Sequence, residues 1–176
     1  RERVLLGSLQ AVSIRDVKST SRGADGEALA CDLLHKLFPA AEIEDCRNVT
    51  AAGDFVVLED DLNMMVEVKN YTRNVARSEI DKFKRDMLAN PTYTCGVLAS
   101  IKSGICGKTD FQVEVIGDRP VVYIHNLEQD GSRIRQAANV FRMLHSIENA
   151  DLRRQGALDA IAVEIQEKRQ RTQQLR

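Results

Sequence analysis

Two apolar runs, residues 55–58 and 64–68, flank the polar segment Glu59-Asp60-Asp61-Leu62-Asn63, whose residue types favour tight turns. The pattern predicts a β-hairpin. If its turn is centred between Asp60 and Asp61, antiparallel partners have residue numbers summing to 121, which sets Asp54 opposite Glu67. Strand alternation then places Lys69 on the same face as Glu67, with Val68 facing the opposite layer.

The flanking segments read as alternating helices and strands. Upstream, Ala30, Leu33, Leu34, Leu37 and Phe38 recur at helical spacing and Pro39 stops the helix. Downstream, residues 71–77 form a polar linker, followed by a helix over 78–88 with Ser78 as its cap and Ile80, Phe83, Met87 and Leu88 as its apolar stripe. Residues 93–100 read as a buried strand. The loop at 101–108 carries small residues and two lysines; its backbone N–H groups suit phosphate, and a flexible connection is the plainer reading. Residues 112–116 and 120–125 read as one or two further strands, separated by a Gly117-Asp118-Arg119 turn.

From Ser132 onward the pattern is helical. Ile134, Ala137, Val140, Phe141, Leu144 and Ile147 make one apolar face, and Leu158, Ile161, Ala162 and Ile165 resume it, with a break or bend expected at Gly156. Residues 166–176 are nearly all polar and suit a partner-packing helix or a linker better than a core element. A helix-like start at residues 4–12 and the absence of an initial Met lead us to expect a piece of a longer protein.

With 176 residues, 43% of them hydrophobic, the chain can build one domain with a helical appendage. Cys31, Cys46, Cys95 and Cys106 are scattered, without zinc-site or disulfide-framework spacing, and are expected to be free thiols, mostly buried. His35, His125 and His145 lack partners at ligand spacing, which argues against covalent catalysis. Neither a signal peptide nor a membrane-crossing apolar run is recognisable, so an intracellular protein of cytoplasm or nucleus, not secreted, is expected.

The chemistry concentrates on the hairpin. Directly opposed like charges destabilise a sheet, so Asp54 facing Glu67 asks for a counter-charge. Cross-strand Cβ atoms lie about 4.5–5.5 Å apart, close enough for both carboxylates to grip one hard cation. An exposed acidic edge with Lys69 paired to Glu67 is the competing reading of the same residues. Gly53 either permits a close approach or simply begins the strand.

Asp54, twelve intervening residues and Glu67-Val68-Lys69 resemble the signature of the PD-(D/E)XK nucleases, the restriction-endonuclease-like superfamily, with Gly53-Asp54 where its name has Pro-Asp. Glu27, in Gly23-Ala24-Asp25-Gly26-Glu27, resembles the glutamate that many members carry on the first core helix; it is also an ordinary first-turn residue favoured by the helix dipole. The resemblance covers roughly residues 23–125. It implies an α/β fold with an αβββαβ core, a mixed sheet flanked by helices, and here a long C-terminal helical extension. Residues 1–22 would form an N-terminal helical segment, 23–130 the nuclease core and 131–176 the extension.

The same resemblance implies a Mg²⁺- or Mn²⁺-dependent deoxyribonuclease, expected to be an endonuclease domain of a larger DNA-processing protein, leaving 5′-phosphate ends. Asp54 and Glu67 would hold the metal with the Val68 carbonyl and Glu27, and Lys69 would orient or help deprotonate the attacking water and stabilise charge at phosphorus. Arg73, Arg77, Lys82, Lys84, Lys102 and Lys108 are the candidate phosphate contacts, with DNA preferred to RNA as partner. A formal net charge of −1 opposes nucleic-acid binding unless a cation offsets the acidic site, so affinity should depend on metal and fall steeply with salt. A homodimer through the helical segments is a further expectation. The alternatives are a non-catalytic nucleic-acid-binding or oligomerisation module of the same fold, and a scaffold whose E-x-K match is accidental.

Overall fold

The computed structural model describes residues 26–174 and the side chains of residues 28–161 and 163. The expected N-terminal segment, 1–22, and the Glu27 side chain lie outside the described residues. The described residues form two compact units, the first ending at Asn139 and the second beginning at Val140.

The element order is α1 (Gly26–Leu37), β1 (Glu42–Asp45), β2 (Phe55–Glu59), β3 (Leu62–Lys69), α2 (Arg77–Ala89), β4 (Cys95–Ser100), β5 (Gln112–Ile116), β6 (Arg119–Ile124) and α3 (Arg133–Gln174). The fold is α/β. One six-stranded mixed sheet has the order β1-β2-β3-β4-β6-β5. Strands β1, β2 and β3 form an antiparallel meander, β3, β4 and β6 run parallel, and β5 returns antiparallel to β6. Helix α2 makes the crossover that the parallel β3–β4 pair requires.

The hairpin forms in the expected register. Phe55 pairs with Val66, Val57 with Met64 and Glu59 with Leu62, every pair summing to 121. Asp60 takes the left-handed conformation (φ 56°) that lets two residues close the turn. The second expected turn forms as well, with Gly117 at φ 66° joining β5 to β6.

Alternation divides the core between two faces. Val56, Met65, Leu98, Val121 and Tyr123 pack with Ile80, Phe83 and Met87 of α2, and the Phe83 and Tyr123 rings meet edge-on at 6.2 Å. Residues between them in sequence, such as Phe55, Val57, Met64 and Val66, are fully buried too, and α1 packs on β3 through a helix that buries Ala30, Leu33 and Leu34. At the start of α3, Arg135 pairs with Glu59 at 2.7 Å and lies over the Phe38 ring.

Four local expectations are corrected. Ser78 is a residue inside α2; extended Ala76 precedes the helix and gives no side-chain cap, because Val75 is already bridged to Ile105 and sets where the helix begins. Leu88 is exposed, and Asp86 takes a buried place on α2 instead. Gly156 does not break α3, since a single glycine in an otherwise favourable helix lowers its stability without ending it. Ile134, Ala137 and Phe141 are buried as expected, whereas Leu144 and Ile147 are exposed.

The cysteines are all free: Cys46 and Cys95 are buried, Cys31 is half-buried and Cys106 is exposed. Burial raises the thiol pKa values of Cys31 and Cys46, with nearby carboxylates adding to the shift. Among the described residues no helix is long and apolar enough to cross a membrane.

Candidate functional site

Strand β3 runs through the middle of the sheet, covered on both faces, and its sequence is accordingly almost continuously apolar. Glu67 interrupts that run and is 3% exposed. A carboxylate so deeply placed needs partners. It has two: Lys69 Nζ lies 2.7 Å and Lys82 Nζ 3.4 Å from Glu67 Oε1.

Both lysines reach on to α2. Lys69 pairs with Glu79 Oε2 at 3.2 Å and Lys82 with Asp86 Oδ2 at 3.0 Å. The result is a continuous chain of charge, Glu79–Lys69–Glu67–Lys82–Asp86. Burial alone would lower the pKa of Lys69, but hydrogen bonding and attraction to Glu67, then Glu79, outweigh it and raise the value well above the ordinary one. Lys82 is likewise raised, its burial being overcome by Asp86 and Glu67.

Asp54 approaches from the mouth of the hairpin. The ladder stops at Phe55–Val66, one residue short of the expected Asp54–Glu67 pair. The Asp54 N–H donates to the Val66 carbonyl at 3.1 Å, and its carbonyl accepts from Cys46 N–H at 2.9 Å, so the residue turns between β3 and β1. Its side chain then continues the ladder in place of backbone: Oδ2 accepts from Val68 N–H at 2.7 Å. Gly53 makes this possible. It has φ 74°, and a Cβ there would stand 2.7 Å from Met65 Cγ, so the glycine permits both the conformation and the close approach.

The Val68 carbonyl matters for a cation. In an extended strand the N–H and C=O of one residue point to the same side, and Val68 N–H points toward Asp54. The carbonyl therefore leans to the β2 side, beyond Phe55, the first residue of β2. Asp54, Glu67 and this carbonyl are hard oxygen donors of the kind Mg²⁺ and Mn²⁺ prefer. Their charge also fits: Asp54, Glu67, Glu79 and Asp86 are four carboxylates against the two ammonium groups of Lys69 and Lys82, a formal excess of two negative charges. Among the described residues no three His, Cys, Asp or Glu side chains gather in ligating geometry. The third carboxylate expected there, Glu27, lies on the first turn of α1, its side chain outside the described set.

The candidate phosphate contacts divide into three groups. Arg73, Arg77 and Lys102 are exposed. Lys84 and Lys108 converge on Glu114 instead, at 2.8 Å and 2.5 Å, and Lys108 also sits 4.4 Å from the Tyr123 ring centroid. Burial works to raise the Glu114 pKa, yet its two lysines, Lys108 foremost, bring it down to about 2. Lys82 belongs to the Glu67 network described above.

The loop at 101–108 is pinned rather than loose. Val75 N–H donates to the Gly104 carbonyl, Cys106 N–H to the Val75 carbonyl, Gly104 N–H to Asn74 Oδ1 and Ile105 N–H to His125 Nε2. Those backbone donors are thus committed within the fold. Ile101 N–H donates to the Lys69 carbonyl, which ties the same loop to the end of β3.

Sequence reading missed the part Glu79, Lys82 and Asp86 play around Glu67. Its only trace was their spacing of three and four residues along one side of α2, adjacent to the apolar stripe. The chain matches no protein-family model, no curated protein and no solved structure.

Proposed function

We propose that the chain is a metal-dependent nuclease of the restriction-endonuclease-like kind, hydrolysing DNA phosphodiester bonds, with Asp54, Glu67 and Lys69 at its centre. The observation that carries this reading is the placing of Asp54, Val68 and the Glu67–Lys69 pair at the open end of one hairpin, with more carboxylates than cations around them. The element order from α1 to β4, αβββαβ, is the one the resemblance implies.

Asp54, Glu67 and the Val68 carbonyl would hold Mg²⁺ or Mn²⁺, with Glu27 as a further ligand. A divalent ion bound there lowers the pKa of water and offsets charge on the reacting phosphoryl group. Lys69, held between Glu67 and Glu79, keeps its proton. It is therefore suited to orienting the nucleophile and stabilising developing oxyanion charge rather than to abstracting a proton. Glu79 fixes the direction of the ammonium group, and Lys82 with Asp86 fixes Glu67 from its other side. Exposed Arg73, Arg77 and Lys102 would meet the phosphate backbone.

A non-catalytic DNA-binding module is the second reading, favoured by the ion-pair chain around Glu67, in which Glu67 already has two ammonium partners. Cleavage of supercoiled, linear, single-stranded and branched DNA by wild type and Lys69→Ala, in EDTA, Mg²⁺ or Mn²⁺, separates the two. Metal-dependent cutting lost in the variant supports the nuclease; retained DNA binding without cutting by the wild type supports the module.

A further inference from the structure

Along the second unit of the chain, Leu144, Ile147, Asp151, Arg154, Leu158 and Ile161 follow one another at alternating steps of three and four residues. That spacing makes a single seam of the type that packs helix against helix. Its apolar members are exposed: Leu144 by 39%, Ile147 by 57%, Leu158 by 61% and Ile161 by 53%. Asp151 and Arg154 sit at the middle of the seam, 3.9 Å apart and largely exposed.

The seam has a symmetry of its own. Read in either direction from a point between Leu152 and Arg153, it runs charged, apolar, apolar, with Asp151 and Arg154 as mirror positions, then Ile147 and Leu158, then Leu144 and Ile161. We propose that a second copy of this chain covers the seam, with the two α3 helices antiparallel about that point. Leu144 then meets Ile161 of the partner subunit, Ile147 meets Leu158 of the partner subunit, and Asp151 pairs with Arg154 of the partner subunit, twice by symmetry. Each layer joins the two kinds of seam position, the match antiparallel helices make.

Charge selects this occupant and this direction. A parallel, in-register copy would oppose Asp151 to itself and Arg154 to itself, two like-charge layers at the centre of the contact. The antiparallel copy converts both into ion pairs. A polar layer within an apolar seam specifies register at some expense of stability, which is the part the Asp151–Arg154 layer plays.

The test is sedimentation equilibrium of the 176-residue chain over a wide concentration range, with circular dichroism as a check that helix content is kept. Wild type is expected to dimerise reversibly. Asp151→Arg and Arg154→Asp should each weaken the dimer by about tenfold or more, because each creates like-charge layers, and the double exchange should return it to within about threefold of wild type. A wild-type chain that stays monomeric throughout overturns the proposal and assigns the seam to another segment or protein. So do single reversals that leave the dimer unchanged, or a double exchange as weak as the singles.

Discussion

The Asp54 carboxylate takes a backbone's place: its Oδ2 accepts Val68 N–H at 2.7 Å where the β2–β3 ladder has already ended. One side chain therefore closes the hairpin and lies beside the expected cation position. The two roles separate by substitution. Asp54→Asn retains an acceptor for Val68 N–H and should stay within about 1 kcal/mol of wild-type stability, while Asp54→Ala should lose about 1–2 kcal/mol through the unsatisfied N–H. Both should lose Mn²⁺ affinity, read by titration calorimetry, and cleavage. Wild-type Mn²⁺ affinity in Asp54→Asn would remove the residue from the metal site.

Lys69→Ala should abolish most cleavage, by roughly 10²-fold or more, the size expected for one preorganised electrostatic catalyst. The folded structure should survive, because Lys82 still faces Glu67. Single-turnover rates at saturating DNA, set beside a melting curve, check both statements; full activity would remove Lys69 from the chemistry.

Within the same network, Glu67 and Lys82 should differ sharply in their effect on stability. Glu67 is buried between two ammonium groups, and Glu67→Ala takes the nearer carboxylate from Lys69, the more buried of the two, expected to cost about 3 kcal/mol. The Lys82 side chain is 46% exposed, and Lys82→Ala should lose no more than about 1 kcal/mol. Urea denaturation of the two variants measures the difference.

Gly53→Ala tests the entry to the site. An alanine must hold φ near 74° with its Cβ against Met65, which is expected to destabilise the fold by about 2 kcal/mol or more. Thermal unfolding provides the reading, and a neutral substitution would mean that the strand entry can rearrange.

His125 makes the fold sensitive to acid. Its Nε2 accepts Ile105 N–H and so must carry no proton, and its pKa is lowered chiefly by burial, which outweighs the opposing pull of Asp110, with Arg133 adding a smaller lowering. For a lowered pKa the unfolded chain binds the proton more readily, so this contribution is complete above the unfolded value of about 6.5. It falls as pH descends from there and is lost below the folded value. His125→Gln should flatten that part of the stability–pH curve, measured by urea denaturation at successive pH values; an unchanged slope would show that His125 does not set it.

Local pattern reached far into this molecule. The apolar runs and the Asp60-Asp61 turn determined the hairpin and its register, because strand period and turn length leave few pairings that bury one face. The same logic located the turn at Gly117 and a helix over 78–88, where α2 spans 77–89, and it placed Glu67 and Lys69 side by side. Tertiary structure decided what surrounds them. Glu79, Lys82 and Asp86 meet the strand only because the crossover turns α2 back over the sheet, which brings them to Glu67 and Lys69. Ser78 lost the capping position because Val75 is bound to a loop thirty residues away, and that loop is firm because His125, from beyond β6, accepts one of its N–H groups. Periodicity reports which side chains share a face; which partner arrives at that face depends on the path of the whole chain.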